Sequence, residues 1–130
     1  MQKIEITDQD SLLKVRQIVH SLAREIGFGL VDQTRITTVA SELTRNILLY
    51  AKKGHVEIYN INGSRIGLKM IFIDEGPGID NIELAMKDGY TTSGGMGKGL
   101  PGSKRLMDEF YIESAPGKGA KVTVIKWLKG

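Results

Sequence analysis

SELTRN at residues 41–46 decides the fold together with DEGPG at residues 74–78. In the first stretch Glu42 and Asn46 stand at positions i and i+4, so on a helix both side chains project from the same face. In the second, an apolar run ends at Asp74, and two glycines then let the backbone turn sharply beside a flat or anionic ligand. The first stretch therefore predicts a helix with a polar edge, and the second predicts a strand that ends in a tight turn.

A third segment, GGMGKGLPG at residues 94–102, is rich in glycine and leads into a predicted helix. The free amides at a helix N-terminus bind anions, and Lys98 adds a positive charge to the same loop. The segment is not a P-loop, and its glycines do not follow a first strand as they do in a dinucleotide-binding fold. Together with the other two stretches it predicts a nucleotide pocket.

The composition limits the class of protein. A chain of 130 residues is long enough for one domain, residues 1–130, whose core needs no disulfide or metal. It has no cysteine, which excludes a disulfide scaffold and a cysteine-based zinc site. No apolar run approaches the ~20 residues of a membrane span and no signal-peptide pattern is present, so we expect a cytoplasmic protein without membrane contact. The net charge of +3 is too mild to indicate a nucleic acid partner.

Periodicity and turn signals give the order of the elements. Asp8 is a predicted N-cap and Gly27 a predicted end for the first helix, and Asn62-Gly63 predicts a hairpin turn. The elements form an α/β two-layer sandwich, with helices on one face of a mixed, mostly antiparallel sheet. The predicted strands are residues 2–6, 55–61, 66–73, 110–114 and 120–128. The first predicted helix follows the Asp8 cap and runs to Ile26, and the second carries an apolar stripe from Ile36 to Tyr50 and ends before Gly54. Further helices are predicted for residues 81–87 and 100–109, with a loop at residues 88–99.

The residue types suggest roles, each with an ordinary alternative. An amide oxygen such as that of Asn46 can complete a Mg²⁺ shell shared with phosphate oxygens, and the Glu42 carboxylate can accept a proton. The alternative for this pair is a solvated helix face. The Asp74 carboxylate suits the exocyclic amine of adenine, with Gly76 and Gly78 allowing the backbone to lie against the base. The alternative for Asp74 is an Asx turn.

These segments, in this order, resemble the motifs of the GHKL ATPase superfamily, which has the histidine-kinase-like (Bergerat) fold. Glu42 and Asn46 resemble its N box and residues 74–78 its first glycine box. Residues 95–100 resemble the second glycine box and residues 117–119 the third. The resemblance covers essentially the whole chain. Within the superfamily the chain is most similar to the bacterial switch-protein serine/threonine kinases and anti-sigma factor kinases.

The resemblance implies ATP and Mg²⁺ as ligands, with Asn46 on the metal, Asp74 on adenine and Glu42 as the general base. It further implies a set of ATP contacts along the glycine boxes. Two departures stand out: Ala120 replaces the Thr that many relatives carry after the third glycine box, and no arginine precedes the second box, where Lys98 is the substitute. The implied ATP contacts are Asn46, Asp74, Gly76, Gly78, Ile79, Thr92, Gly95, Met96, Gly97, Lys98, Gly99, Leu100 and Thr123, although strand parity turns Thr123 away from Ala120.

The same resemblance implies protein partners. The substrate would be a serine or threonine of a STAS-domain protein of the stressosome, and the released kinase would activate a PP2C-type phosphatase in a sigma-factor stress cascade. An anti-sigma factor that also phosphorylates its antagonist is the nearest alternative, and a non-catalytic binding module is another. A weak homodimer stays open. A sensor histidine kinase is disfavoured, because the sequence lacks a helical domain with a phospho-accepting histidine.

Overall fold

The computed structural model describes residues 1–76, 100–114 and 117–129. They form five strands: β1 (Gln2–Ile6), β2 (Gly54–Asn62), β3 (Ile66–Asp74), β4 (Glu109–Ser114) and β5 (Ala120–Trp127). They also form three α-helices, α1 (Gln9–Ile26), α2 (Leu30–Asn46) and α3 (Leu100–Leu106), and a π-helical turn, Ile47–Ala51, that directly continues α2.

The strands make one sheet in the order β1-β2-β3-β5-β4. Every pairing among the described strands is antiparallel, so the mixed sheet of the prediction is wrong in that detail, while the two-layer α/β class is confirmed. The β2–β3 register pairs Gly54 with Asp74, and the β3–β5 register pairs Asp74 with Ala120. The ends of three neighbouring strands therefore meet at Asp74.

Successive side chains along each strand point to opposite faces of the sheet. One face is covered by the helices, and we call the other the open side. The helix-facing residues of β2, β3 and β5 join the apolar stripes of α1 and α2 in one buried cluster, which places both helices on the same face of the sheet. The strand members of this cluster include Val56, Ile58, Leu68, Met70, Phe72, Val122 and Val124; the helix members include Val15, Val19, Ala23, Ile36, Val39 and Leu43.

The caps of α1 confirm the sequence prediction. Asp8 is the N-cap, and its carboxylate accepts a hydrogen bond from the backbone N–H of Ser11 at 2.9 Å. Gly27 ends the helix in the left-handed conformation, with φ 113°, which a residue with a side chain rarely adopts. The loop to α2 is fixed by the Gln33 amide, which donates to the Phe28 carbonyl at 2.7 Å.

Two other predicted elements differ from the structure. The second predicted helix, recognised by its apolar stripe from Ile36 to Tyr50, begins at residue 30 and changes to π-helical geometry at residue 47, before Lys52 ends it with φ 71°. The helix predicted for residues 100–109 ends at residue 106, because Asp108 already donates its backbone N–H to Ile125 of β5. The helix predicted for residues 81–87 and the loop predicted for residues 88–99 lie outside the described residues.

Candidate active site

Asp74 ends β3 with its side chain half-buried on the helix-facing side. Its Oδ1 accepts a hydrogen bond from the backbone N–H of Gly76 at 2.9 Å, so the Asx turn that the sequence offered as the alternative role of Asp74 is present. Burial raises the pKa of the Asp74 carboxyl above its usual value, and the backbone N–H groups of Gly76 and Ala120 offset only part of that effect. A carboxylate has room for about four hydrogen bonds, so the turn does not preclude a ligand contact.

Three glycines pack against the backbone around Asp74. A Cβ at Gly119 would lie 2.2 Å from the Asp74 carbonyl oxygen, and one at Gly54 would lie 2.4 Å from the Ile73 carbonyl oxygen. A Cβ at Gly76 would lie 2.5 Å from the Cβ of Ala51. A protein contact thus gives a reason for glycine at position 76, in addition to the base contact that the sequence suggested.

The contact between Ala51 and Gly76 joins the two stretches that decide the fold. Ala51 ends the π-helical turn that follows α2, and Gly76 lies in the turn that follows β3. Asn46, the last residue of α2, is half-buried and stands just before the π-helical turn. The end of α2 and the end of β3 are therefore packed together, as the nucleotide-pocket prediction requires.

Glu42 lies one helical turn before Asn46, near the outer edge of α2. Its Oε1 accepts a hydrogen bond from Nη1 of Arg45 at 2.8 Å, and both side chains are partly exposed. The pair fixes the direction of a carboxylate that solvent and a ligand can both reach. An i, i+3 ion pair of this kind stabilises a helix only slightly, by about 0.2–0.5 kcal/mol.

The structure does not bring every predicted ATP contact to Asp74. Thr123 pairs with Ile71 and lies on the open side of the sheet, opposite to the side of Asp74 and Ala120. Leu100 begins α3 and is buried in the hydrophobic core. The predicted contacts at Gly78, Ile79, Thr92, Gly95, Met96, Gly97, Lys98 and Gly99 lie outside the described residues.

Lys126 is a buried cation that sequence reasoning missed. Its Nζ donates to the Leu106 carbonyl at the end of α3, at 3.0 Å, and lies 3.7 Å from Asp32 of α2 and 3.6 Å from Asp108. The signal was available, because Lys126 follows Val122 and Val124 at alternate positions of one strand and therefore points inward. Lys126 belongs to β5, so its contacts hold the end of α3, the helix at the second glycine box, against β5 and near α2.

Among the described residues, no group of three or more His, Cys, Asp or Glu side chains is placed to hold a metal ion. No described helix has both the length and the apolar character that a bilayer crossing demands.

Comparison with known sequences places the chain among nucleotide-binding proteins. Residues 31–129 match the family described as histidine kinase-, DNA gyrase B-, and HSP90-like ATPase. The chain is 50% identical to the serine/threonine-protein kinase RsbT of Bacillus subtilis over 127 residues, which cover 97% of this chain and 96% of that protein. It is 31% identical to the anti-sigma F factor of Thermoanaerobacter sp. over 120 residues, which cover 87% of this chain and 82% of the relative.

Comparison with solved structures agrees. The nucleotide-free catalytic domain of the histidine kinase ThkA superimposes with a TM-score of 0.59 at 17% identity, with 98% of each chain covered. The mycobacterial sensor histidine kinase MprB gives a TM-score of 0.60 at 13% identity, over 97% of this chain and 96% of that one. At such low identity the likeness concerns the fold alone, and it confirms the predicted histidine-kinase-like ATPase fold.

Proposed function

This chain belongs to the family of histidine kinase-, DNA gyrase B- and HSP90-like ATPases, and we propose that it phosphorylates a serine or threonine of a STAS-domain protein. It is a serine/threonine-protein kinase that uses ATP, in keeping with its near full-length identity to RsbT. Once released from that substrate, the kinase binds and activates a PP2C-type phosphatase in a sigma-factor cascade. The observation that carries the proposal is the packing of Ala51 against Gly76, which sets the end of α2 beside Asp74.

Adenine recognition is assigned to Asp74. Its carboxylate accepts the exocyclic amine, and the half-buried position strengthens that hydrogen bond by lowering the local dielectric. Residues 76 and 119 are glycines that pack close to the Asp74 turn. A Cβ at position 76 would clash with Ala51, and a Cβ at position 119 would clash with the Asp74 carbonyl oxygen. Ala120, which pairs with Asp74 across the sheet, supplies a backbone N–H but no hydroxyl.

The proposed metal ligand is Asn46. Its amide oxygen is a hard donor, which suits Mg²⁺ when phosphate oxygens and water complete the octahedral shell. The position fits, because Asn46 is half-buried at the end of α2 that packs against the Asp74 turn. Mg²⁺ bound there would neutralise phosphate charge during transfer.

Proton removal is assigned to Glu42. Its carboxylate is accessible on the edge of α2 one turn before Asn46, and the hydrogen bond from Arg45 holds it in place. A serine or threonine hydroxyl beside Oε2 would lose its proton to Glu42 as its oxygen bonds to the terminal phosphorus of ATP, while the bond from that phosphorus to the ADP leaving group breaks. Phosphoryl transfer asks the protein mainly for such positioning.

The test is phosphate transfer by purified protein from Mg-ATP to the cognate STAS-domain protein. Glu42→Gln keeps an oxygen for Arg45 but cannot take a proton, so transfer should fall by about 10²–10⁴-fold while ATP binding is retained. Glu25→Gln, at an exposed site on α1, is the matched control. Transfer at the normal rate in Glu42→Gln would refute the assignment of the base.

The alternative function is an anti-sigma factor that binds a sigma factor directly, and the 31% identity to an anti-sigma F factor supports it. A pull-down with sigma factors in the presence of Mg-ADP distinguishes the two functions. Retained sigma factor would favour the alternative. Retention of a PP2C-type phosphatase, without sigma factor, would favour the switch kinase.

A further inference from the structure

A row of paired residues crosses the sheet at the level of Asp74. The strand registers pair Gly54 with Asp74, Asp74 with Ala120, and Ala120 with Ser114 of β4. Directly paired residues of neighbouring strands point to the same face of a sheet, so the side chains of Asp74, Ala120 and Ser114 all project toward the helices. Because the side chain of Ala120 is a methyl group, Ser114 supplies the hydroxyl of this row.

Ser114 is bonded to the third glycine box. Its Oγ donates a hydrogen bond to the Gly119 carbonyl at 2.7 Å, a usual length for a hydroxyl donor. The carbonyl of Gly119 and the N–H of Ala120 belong to one peptide group, and that N–H donates to the Asp74 carboxylate. Ser114 and Asp74 therefore hold the same peptide group from its two ends.

This peptide group follows a glycine and would otherwise be free to rotate. Gly119 has φ 74°, and a Cβ there would lie 2.2 Å from the Asp74 carbonyl oxygen and 3.1 Å from the Cα of Glu75. Glycine is needed for this close approach, and glycine also lets the adjoining peptide group turn at low cost. Rotation would present the Gly119 carbonyl, instead of the Ala120 N–H, to the Asp74 carboxylate. The hydrogen bond from Ser114 opposes that rotation.

The same bond affects the ionisation of Asp74. A hydrogen bond to a carboxylate favours the charged form and lowers its pKa, which here opposes the effect of burial. A hydrogen bond to the carbonyl end of a peptide group polarises the group and strengthens the bond that its N–H makes. Through the shared peptide group, the Ser114 hydroxyl therefore favours the ionised form of Asp74.

A cavity of about 290 Å³ opens beside this chain of bonds and is lined by both Asp74 and Ser114. Its lining also includes three charged side chains, those of Glu113, Lys118 and Lys121. The shift in the pKa of Asp74 arises from burial and two backbone N–H groups, with no contribution from a charged side chain of the described residues. A substitution at Ser114 leaves the neighbouring charges in place, so it isolates the effect of the hydroxyl.

We propose that Ser114 is a positioning residue for adenine recognition: its hydroxyl fixes the Gly119–Ala120 peptide group, which in turn orients the Asp74 carboxylate toward the base. The inference rests on the proposed function, in which Asp74 accepts the exocyclic amine of adenine. Ser114 acts through the peptide group and needs no contact with ATP. The arrangement provides a hydroxyl for this site in a chain that has alanine at position 120.

Calorimetric titration with Mg-ATP tests the role of Ser114. Ser114→Ala should weaken ATP binding by about three- to ten-fold, the loss expected for one hydrogen bond. Ser114→Thr keeps the hydroxyl and should restore most of the affinity. A carbon-detected NMR titration should show that the pKa of the Asp74 carboxyl is raised in Ser114→Ala and close to normal in Ser114→Thr. A role of Ser114 in the stability of the turn alone would not move this pKa.

The matched control is Thr34→Ala, which also removes a hydroxyl that donates to a backbone carbonyl, here that of Leu30 at 3.0 Å. Thr34 lies near the start of α2, at the opposite end of the helix from Asn46, so ATP affinity and the pKa of Asp74 should stay unchanged. Normal ATP affinity in Ser114→Ala, or a loss of affinity without a change in this pKa, would overturn the inference. Ser114→Cys, with a similar shape and a weaker donor, gives the same comparison if Ser114→Ala fails to fold.

Asp74→Asn separates failure of the inference from failure of the proposed function. If Asp74→Asn binds ATP as tightly as the wild type, the adenine assignment fails, and the role of Ser114 with it. If Asp74→Asn loses ATP binding and Ser114→Ala keeps it, only the role of Ser114 is wrong. Phosphate transfer by the wild type and by Glu42→Gln tests the reaction independently of both.

Discussion

Ala51 and Gly76 approach so closely that no side chain could stand at position 76: a Cβ there would lie 2.5 Å from the Cβ and 2.8 Å from the Cα of Ala51. One residue ends the π-helical turn after α2, and the other lies in the turn after β3. The contact therefore sets the distance between the helix that carries Glu42 and Asn46 and the turn that holds Asp74. A change in this spacing would shift Glu42 and Asn46 relative to Asp74 in the proposed ATP site.

Gly76→Ala should destabilise the protein and weaken ATP binding. The added methyl group overpacks the contact with the Cβ and Cα of Ala51, at a cost of about 1–3 kcal/mol in the free energy of unfolding. Gly63→Ala is the control, because nothing lies within 4 Å of a Cβ at that position. Chemical denaturation and calorimetric titration with ATP provide the two measurements. Equal stability of the two variants would contradict the role of the contact.

Gly117 and Gly119 offer a second matched pair, within the turn between β4 and β5. Both have positive φ, 76° and 74°, so alanine at either position strains the backbone by about 1–2 kcal/mol. Only the Cβ at position 119 would also clash, at 2.2 Å from the carbonyl oxygen of Asp74. Gly119→Ala should therefore lose much more ATP affinity than Gly117→Ala. Similar affinities in the two variants would show that the turn conformation matters and the approach to Asp74 does not.

The raised pKa of Asp74 predicts a pH dependence of ATP affinity. The ionised carboxylate accepts the adenine amine, so affinity should fall as pH drops through a pKa above the ordinary value of 3.8. The free energy of unfolding depends on pH in the opposite direction. Burial of the charged carboxylate lowers it above that pKa, and this penalty disappears below 3.8, where Asp74 is protonated in both the folded and the unfolded protein. Titrations of wild type and Asp74→Asn across this range separate the ionisation of Asp74 from that of the nucleotide. A curve with the same shape in both proteins would exclude the adenine role.

Local signals predicted the elements well. Asp8 and Gly27 defined α1, because a cap is decided by residues within one turn of each other. Asn62-Gly63 likewise defined the hairpin of β2 and β3. The motif segments predicted a shared nucleotide pocket, and in the structure the contact of Ala51 with Gly76 brings the ends of α2 and β3 together.

Contacts between distant residues were not predictable in the same way. The need for glycine at position 76 beside Ala51 depends on a π-helical turn, which the apolar periodicity of the helix did not indicate. Arg16 of α1 and Glu42 of α2 line one cavity, which depends on the packing of the two helices and has no signal in either segment alone. The early end of α3 depends on β5, which pairs with residues beyond the helix.

Lys126 provides the last prediction, because it is the buried cation on which three elements converge. Burial alone would raise the pKa of Asp108, but the backbone N–H of Trp127 and the two nearby lysines, Lys126 and Lys129, lower it instead. The stability that this carboxylate contributes is therefore present above its ordinary value of 3.8 and is lost as pH falls through the lowered pKa. Of the two lysines, only Lys126 also holds the Leu106 carbonyl.

Lys126→Met should lower the free energy of unfolding by about 1–3 kcal/mol, since it keeps the apolar stem but leaves the Leu106 carbonyl and two carboxylates without their buried partner. Lys129→Met is the matched control: Lys129 also lies 3.7 Å from Asp108, yet its side chain is 75% exposed, so its loss should be nearly neutral. Amide hydrogen exchange should quicken in α3 of Lys126→Met and stay unchanged in α1. Because α3 directly follows the second glycine box, the same variant should bind ATP more weakly even where it remains folded. Equal exchange rates for α3 in the two lysine variants would mean that apolar packing of the helix, and not this cation, fixes its position.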